Sequence, residues 1–248
     1  MTAPVLQPTT WPDTRFALPR PAVRMFCFPF AGGSAAFYAD WAGDFVSTVE
    51  LVPIQLPARG ALMAQPPARS ITEVADAIAP VIAESSVPVA LYGHSMGAII
   101  AFETARRLQE VGKPVRHLFV SGRPGPRIKR PLEPVSDLPR PEFVEMLRDY
   151  GAADQEILEH DELLDLLIPM MRADFHMIES YTYPPGPPLT CDVSAWAGAD
   201  DTEAPLSVMQ RWGDETTGTF TAEELPGGHF FLSEHREHIV RAVHERLG

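Results

Sequence analysis

The sequence is poor in cysteine: Cys27 and Cys191 are the two in 248 residues. Both fall in predicted strands, so they read as buried, reduced thiols. A disulfide between them has little support, and no His/Cys pair has the spacing of a metal-ligand set. Cationic residues are outnumbered, with 20 Lys and Arg against 33 Asp and Glu. The net charge of −13 argues against nucleic acid or an anionic membrane as a partner. No apolar run approaches the roughly 20 residues of a membrane-crossing helix. Residues 1–20, rich in Pro and Thr, contain no apolar stretch of the kind a secretory signal requires. These absences together point to a cytoplasmic protein. Hydrophobic residues make up 45% of the chain, enough for a sizeable core in one large α/β domain or two small ones.

One stretch organises the rest. Val89 to Tyr92 has the length and residue types of a strand, and it stops at Gly93-His94-Ser95-Met96-Gly97. A helical pattern follows at once, with Ala98, Phe102, Ala105 and Leu108 on one face. A Gly-x-Ser-x-Gly pentapeptide arises by chance in about one chain in ten of this length. Strand before and helix after make it more specific, because a serine on so sharp a turn is held exposed at the strand end. The helix N-terminus then faces any negative charge that develops there.

Residues 1–20 read as a loose arm. A strand at 22–30 runs into the glycine-rich turn Pro29-Phe-Ala-Gly-Gly-Ser34, and a helix is expected at 35–45. A second strand spans 49–56. Ser70 and Glu73 form a capping box that opens a helix with Ile71, Val74, Ile78 and Val81 inward, bent at Pro80. The strand and helix on either side of the sharp Ser95 turn, the elbow, come next, Gly112 caps the helix, and 115–121 is a strand. The order β-α-β-α-β-α-β predicts a parallel sheet with right-handed crossovers. The alternation then breaks at a basic, proline-rich linker, 123–131, followed by helices at 141–150 and 161–183 with no strand between them. The longer one carries Met170, Met171 and Met177, an adaptable apolar stripe that a core helix would also explain. Beyond Pro184-Pro-Gly-Pro-Pro188 a strand at 189–198, a helix at 205–213, a strand at 219–225 and a helix at 234–247 restore the pattern. The expectation is one α/β domain over 1–248, with its core at 22–122 and 188–248 and a helical insertion at 123–187.

A serine hydroxyl needs a base to take its proton, and imidazole is suited to that near neutral pH. Of eight histidines, His94 should point away from the Ser95 oxygen, and His117 begins a strand. His160 and His176 lie in the insertion. His235, His238 and His244 lie on the polar side of the last helix. His229 stands at the carboxyl end of a strand, on a Pro-Gly-Gly turn, at the edge where open α/β sheets bind ligands. A carboxylate should lie between Ser95 and His229 in chain order, at another strand end. Asp200 and Asp201 both fit, and spacing leaves the choice open; Asp192 lies at the wrong end of its strand. An oxyanion would be held by the N–H after the nucleophile, Met96, and by one from the first glycine turn, Ala31.

Five separated motifs occur in one order: Phe28-Pro-Phe-Ala-Gly-Gly-Ser34, Leu56-Pro-Ala-Arg-Gly60, Gly93-His-Ser-Met-Gly-Ala98, Pro169-Met-Met-Arg-Ala-Asp-Phe175 and Pro226-Gly-Gly-His-Phe230. From about residue 22 to 248 the chain resembles the type II thioesterases that serve modular polyketide and nonribosomal-peptide synthases. The resemblance implies an α/β-hydrolase fold, a mostly parallel sheet flanked by helices with a helical lid over an acyl chamber. It places Met170, Met171 and Phe175 on that lid. Its Gly-x-x-Asp turn, here Gly198-Ala-Asp-Asp201, tips the acid to Asp201. It implies a catalytic triad of Ser95, Asp201 and His229, hydrolysing stalled or mis-primed acyl groups from the phosphopantetheine arm of an acyl or peptidyl carrier protein. No cofactor or metal and a monomeric enzyme are expected. Three positions depart from the family pattern: Ala58 and Asp192 replace a usual glycine and proline, and Thr202 a frequent proline.

The run Arg123, Arg127, Lys129 and Arg130 reads either as a patch that meets an acidic carrier protein or as a solvated loop. Two other functions share these residues: a carboxylesterase or acyltransferase with the same triad, and a carrier-binding protein without catalysis.

Overall fold

The computed structural model describes residues 6–45, 48–128, 134–150 and 160–248. Six strands form one sheet in the order β2-β1-β3-β4-β5-β6. They are β1 (Val23–Phe28), β2 (Val49–Pro53), β3 (Val89–His94), β4 (His117–Ser121), β5 (Asp192–Gly198) and β6 (Phe220–Leu225). Every neighbouring pair is parallel, so each connection must cross over the sheet. The helices are α1 (Ala35–Ala39), α2 (Ile71–Ala83), α3 (Met96–Glu110), α4 (Arg140–Tyr150), α5 (Asp161–Glu179), α6 (Leu206–Met209) and α7 (Arg236–Leu247). Helices α4 and α5 both lie between β4 and β5, with no strand between them among the described residues.

Strand β1 shows how the sheet divides the core. Side chains alternate across a strand. Val23, Met25 and Cys27 enter one apolar cluster with Tyr38, Trp41, Ile239 and Val243. Phe26 and Phe28 enter the other, with Val74, Ile78, Phe102 and the inward side of α5. Both cysteines are free and buried, and burial raises the Cys191 thiol to about 12.

From residue 6 onward the N-terminal arm is not loose. Trp11 is fully buried, and Pro12 pairs antiparallel with Ile54 just beyond β2. Asp13 N–H donates to Pro53 O at 2.8 Å and Gln55 N–H to Trp11 O at 2.8 Å. Leu18 N–H donates to Glu50 Oε2 at 2.9 Å. Composition suggested a tail because it is rich in Pro and Thr, yet a buried tryptophan and backbone hydrogen bonds to the residues around β2 fasten it.

Several elements are shorter than their patterns imply. The helix expected at 35–45 ends at Ala39, and a 3-10 turn, Ala42–Asp44, follows. That expected at 205–213 is α6 plus a 3-10 turn, Gln210–Glu215. Helix α5 stops at Glu179, short of Tyr183. The residue before a proline avoids helical geometry, and the Tyr181 and Tyr183 hydroxyls are drawn off to Glu103 and Glu215.

Candidate active site

Strand β3 delivers its last residue, His94, to a turn that α3 leaves immediately. Ser95 sits on that turn at φ 53° and ψ −117°, in the left-handed half of backbone space. Its N–H donates to Ser121 O at the end of β4, 2.9 Å away. Two glycines make the turn sterically feasible. A Cβ on Gly93 would lie 2.1 Å from Gly97 O, and one on Gly97 would lie 2.2 Å from Phe28 O. Met96 opens α3, so its N–H is one that the helix itself cannot use.

The loop after β6 meets this turn. The rings of His94 and His229 are 4.9 Å apart, and Phe230 stacks edge-on against Phe30 at 5.0 Å. The loop also closes on the end of β5: Asp200 N–H donates to Gly227 O at 2.9 Å, and a Cβ on Gly198 would lie 2.4 Å from Gly228 O. In this packing Asp201 is buried and Asp200 exposed. His229 Nδ1 lies 2.8 Å from Asp201 Oδ2. Asp201 Oδ1 accepts from Glu203 N–H at 2.9 Å and Ala204 N–H at 3.1 Å. Burial pushes this carboxyl up, but the His229 hydrogen bond and charge and the two backbone donors outweigh it and hold it below its usual value. The pair therefore presents an ionised acceptor to the imidazole.

His94 is fully buried, with Nδ1 2.9 Å from Ser121 Oγ. Burial, then the proximity of His229, holds it well below the usual imidazole range, so it stays neutral. His117 is buried against Ser194 Oγ at 2.9 Å. His160 and His176 are exposed on the α4–α5 segment. Asp192 accepts from Thr219 N–H at 2.7 Å, at the far end of β5.

Met170, Met171 and Phe175 are all buried on α5, with the Phe175 ring 5.9 Å from that of Phe143 on α4. Between them lies a group that sequence reasoning missed. Asp174, buried on the same face, receives two hydrogen bonds from Arg59, at 2.6 and 2.7 Å, and one from Gly32 N–H at 2.8 Å. Both residues stand in motifs singled out above, but a separation of 115 residues gives spacing no means of pairing them.

Arg127 is engaged within the chain, with Nε 2.6 Å from Glu215 and its guanidinium over the Tyr183 ring. The basic run therefore carries less free charge than the sequence implies. Arg123 gives its carbonyl to Trp212 Nε1 at 2.7 Å. Lys129 and Arg130 lie outside the described residues. Among the described residues no helix is long and apolar enough to cross a membrane.

Residues 23–247 match the family model of the thioesterase domain. A curated relative, the gramicidin S biosynthesis protein GrsT of Aneurinibacillus migulanus, is 34% identical over 231 residues, covering 91% of this chain and 89% of its own. Among solved structures, the type II thioesterase BorB from the borrelidin biosynthetic cluster superposes with a TM-score of 0.89 at 36% identity, covering 96% of this chain and 98% of its own. YbtT, a type II thioesterase from the yersiniabactin NRPS/PKS biosynthetic pathway, superposes with a TM-score of 0.83 at 30% identity, covering 92% and 94%. The fold is that of the α/β-hydrolases, and the chain belongs to the thioesterase family, with the type II thioesterases of polyketide and nonribosomal-peptide biosynthesis as its kin.

Proposed function

We propose that Ser95, His229 and Asp201 form a catalytic triad that hydrolyses acyl groups from the phosphopantetheine arm of a carrier protein, clearing stalled or mis-primed chains. The observation that carries this reading is the Asp201–His229 hydrogen bond, with the His229 ring 4.9 Å from that of His94, the residue that precedes a serine held in strained backbone geometry. Ser95 Oγ attacks the thioester carbonyl while His229 takes its proton. The Ala31 and Met96 N–H groups hold the oxyanion. The pantetheine thiol leaves with the proton from His229; its pKa near that of cysteine makes it a better leaving group than an alcohol. Water, deprotonated by His229, then attacks the acyl-enzyme, and the carboxylic acid departs as Ser95 regains its proton. Asp201 fixes the imidazole tautomer and stabilises the imidazolium.

The α4–α5 segment acts in this reading as a lid, with Met170, Met171 and Phe175 walling the acyl chamber within a single domain. The carrier meets the basic run at 123–130, so reversing Arg123 and Lys129 raises KM for a carrier-bound acyl group and leaves a small thioester unaffected; equal effects on both would refute that docking.

Ser95→Ala should lower kcat for an acyl thioester by about a million-fold. Substantial residual turnover would remove Ser95 as the nucleophile. A carboxylesterase with the same triad would prefer the oxyester, so kcat/KM for thioester and oxyester of one acyl chain separates the two activities.

A further inference from the structure

A backbone N–H stabilises an oxyanion only if it is aimed before the charge develops. The turn proposed to carry one such donor, Pro29 to Ser34, has one backbone hydrogen bond of its own, Gly33 N–H to Phe30 O at 2.9 Å, and that bond leaves the Gly32 N–H and Gly33 carbonyl to other partners. The turn contains two consecutive glycines, and Gly32 adopts φ 77°, where glycine loses more conformational freedom on ordering than any other residue. Those partners come from elsewhere. Gly32 N–H donates to Asp174 Oδ2 at 2.8 Å, and Gly33 O accepts from Arg59 Nη1 at 2.9 Å. The same Nη1 donates to Asp174 Oδ2 at 2.7 Å, and Nη2 donates to Oδ1 at 2.6 Å. Arg59 Nε reaches Pro57 O at 3.3 Å. The two side chains are 5% and 1% exposed.

A buried ion pair is weak evidence for stability, because the cost of removing two charges from water offsets most of their attraction. Two apolar side chains of similar volume would fill this space equally well. They could not accept from Gly32 or donate to Gly33. Asp174 takes up the Gly32 N–H, which is next in the turn to the Ala31 N–H that the triad reading assigns to the oxyanion. Resting on the triad reading above, we infer that Arg59 and Asp174 are positioning residues that aim the Ala31 N–H at the oxyanion, and that they tie this aim to helix α5. Asp174 shares that helix with Met170, Met171 and Phe175. Any shift of α5 on accepting an acyl chain is thereby transmitted to the turn that stabilises the reacting carbonyl.

The test uses the full chain and three variants: Arg59→Leu/Asp174→Leu, Asp174→Asn and Arg59→Lys. Each is measured for kcat and KM on an acyl thioester and for the Ki of an alkyl boronic acid, which adds to Ser95 as a tetrahedral anion. Losing an oxyanion donor lowers kcat by about 100- to 1,000-fold, so misaiming one in the double variant should lower it by at least about tenfold. The boronate Ki should rise by the same factor while KM stays within about threefold. Asp174→Asn should fall between the double variant and the parent, and Arg59→Lys, which keeps a cation beside Asp174, should stay nearest the parent.

Folded variants whose kcat and boronate Ki stay within about twofold of the parent, or which lose only KM, would overturn the inference. Failure of all three to fold would assign the pair to stability and overturn it equally. Ser95→Ala run alongside keeps the two readings apart. If it retains turnover, the triad fails; if it loses turnover while the double variant keeps kcat, the positioning role fails alone.

Discussion

The elbow and the α4–α5 segment are held by different physics. At the elbow, backbone lies against backbone: Gly93 against Gly97, Gly97 against Phe28, and Ser95 N–H on Ser121 O. Nothing there can relax without moving the sheet. The α4–α5 segment is fastened by side chains reaching across. Asp174 takes Arg59, and Glu103, buried on α3, takes Tyr181 Oη at 2.7 Å. Glu215, also buried, takes both Arg127 and Tyr183 Oη, at 2.6 and 3.0 Å. Glu179 takes the Val135 and Ser136 N–H groups at 2.7 and 3.1 Å. One region is rigid because backbone packs directly on backbone, the other because separate buried carboxylates each hold it. The first should fail globally, the second locally and in parts.

Gly93→Ala should break the elbow outright. Its Cβ would meet the Gly97 carbonyl oxygen at 2.1 Å and the Ala98 nitrogen at 2.5 Å, both backbone atoms. The expected loss exceeds about 4 kcal/mol, at the severe end for single substitutions. Soluble protein with a parent-like melting temperature would show that the elbow is softer than its packing implies.

Acid should weaken the sheet before it touches the segment, because buried histidines lie in β3 and β4 whereas His160 and His176 are exposed. Burial, with help from Arg246 and Arg116 against Asp192, holds His117 down at about 4, from an ordinary value of 6.5. Its folded pKa is the lower one, so the unfolded chain binds the proton first. Stability should therefore fall as pH drops from 6.5 and level off below about 4, by about 3 kcal/mol from this group. His117→Gln should lose less over that window in urea melts at stepped pH, and an unchanged slope would reject the assignment.

Glu215→Gln addresses the other side of the contrast. Arg127 is half exposed and can turn to water, so the loss should be about 1–2 kcal/mol. Hydrogen exchange should rise around residues 181–186 while the amides of β3 and β4 keep their protection. Equal acceleration in both would mean that the segment and the sheet open as one unit.

The same contrast explains what was legible beforehand. Strand, elbow and helix could be read because local patterns encode them, and His229 because a strand end and a glycine turn mark it. Spacing could not separate Asp200 from Asp201. Adjacent residues leave a turn in different directions, and the approach of Gly198 to the 227–228 backbone, 30 residues on, buries Asp201 beside His229. The Arg59–Asp174 pair was invisible for a related reason: both motifs were noticed, yet complementary charges far apart in the chain carry no periodic signal. Trp11 was missed because composition averages over a segment, whereas burial here depends on one side chain. Arg127 was read as free charge because its partner, Glu215, lies 88 residues away.

The smallest effect concerns Ala58, where the resemblance led us to expect glycine. It adopts φ 63°, one of two non-glycine residues with positive φ among those described. That geometry costs an alanine about 1–2 kcal/mol. Replacing it by glycine would remove a buried methyl worth about 0.8 kcal/mol. Ala58→Gly should therefore be neutral to stabilising by about 1 kcal/mol, read as a shift in denaturation midpoint at constant slope. Its effect on kcat is the more informative number. Ala58 N–H donates to Leu62 O at 3.1 Å, and Gln55 Nε2 to Arg59 O at 3.1 Å, so the loop shape is held on both sides of the strained residue. If kcat is unchanged, those bonds suffice to deliver Arg59 to Asp174. If kcat falls while stability rises, the strained alanine itself sets the loop's aim, and the turn around Ala31 depends on backbone geometry as well as on an ion pair.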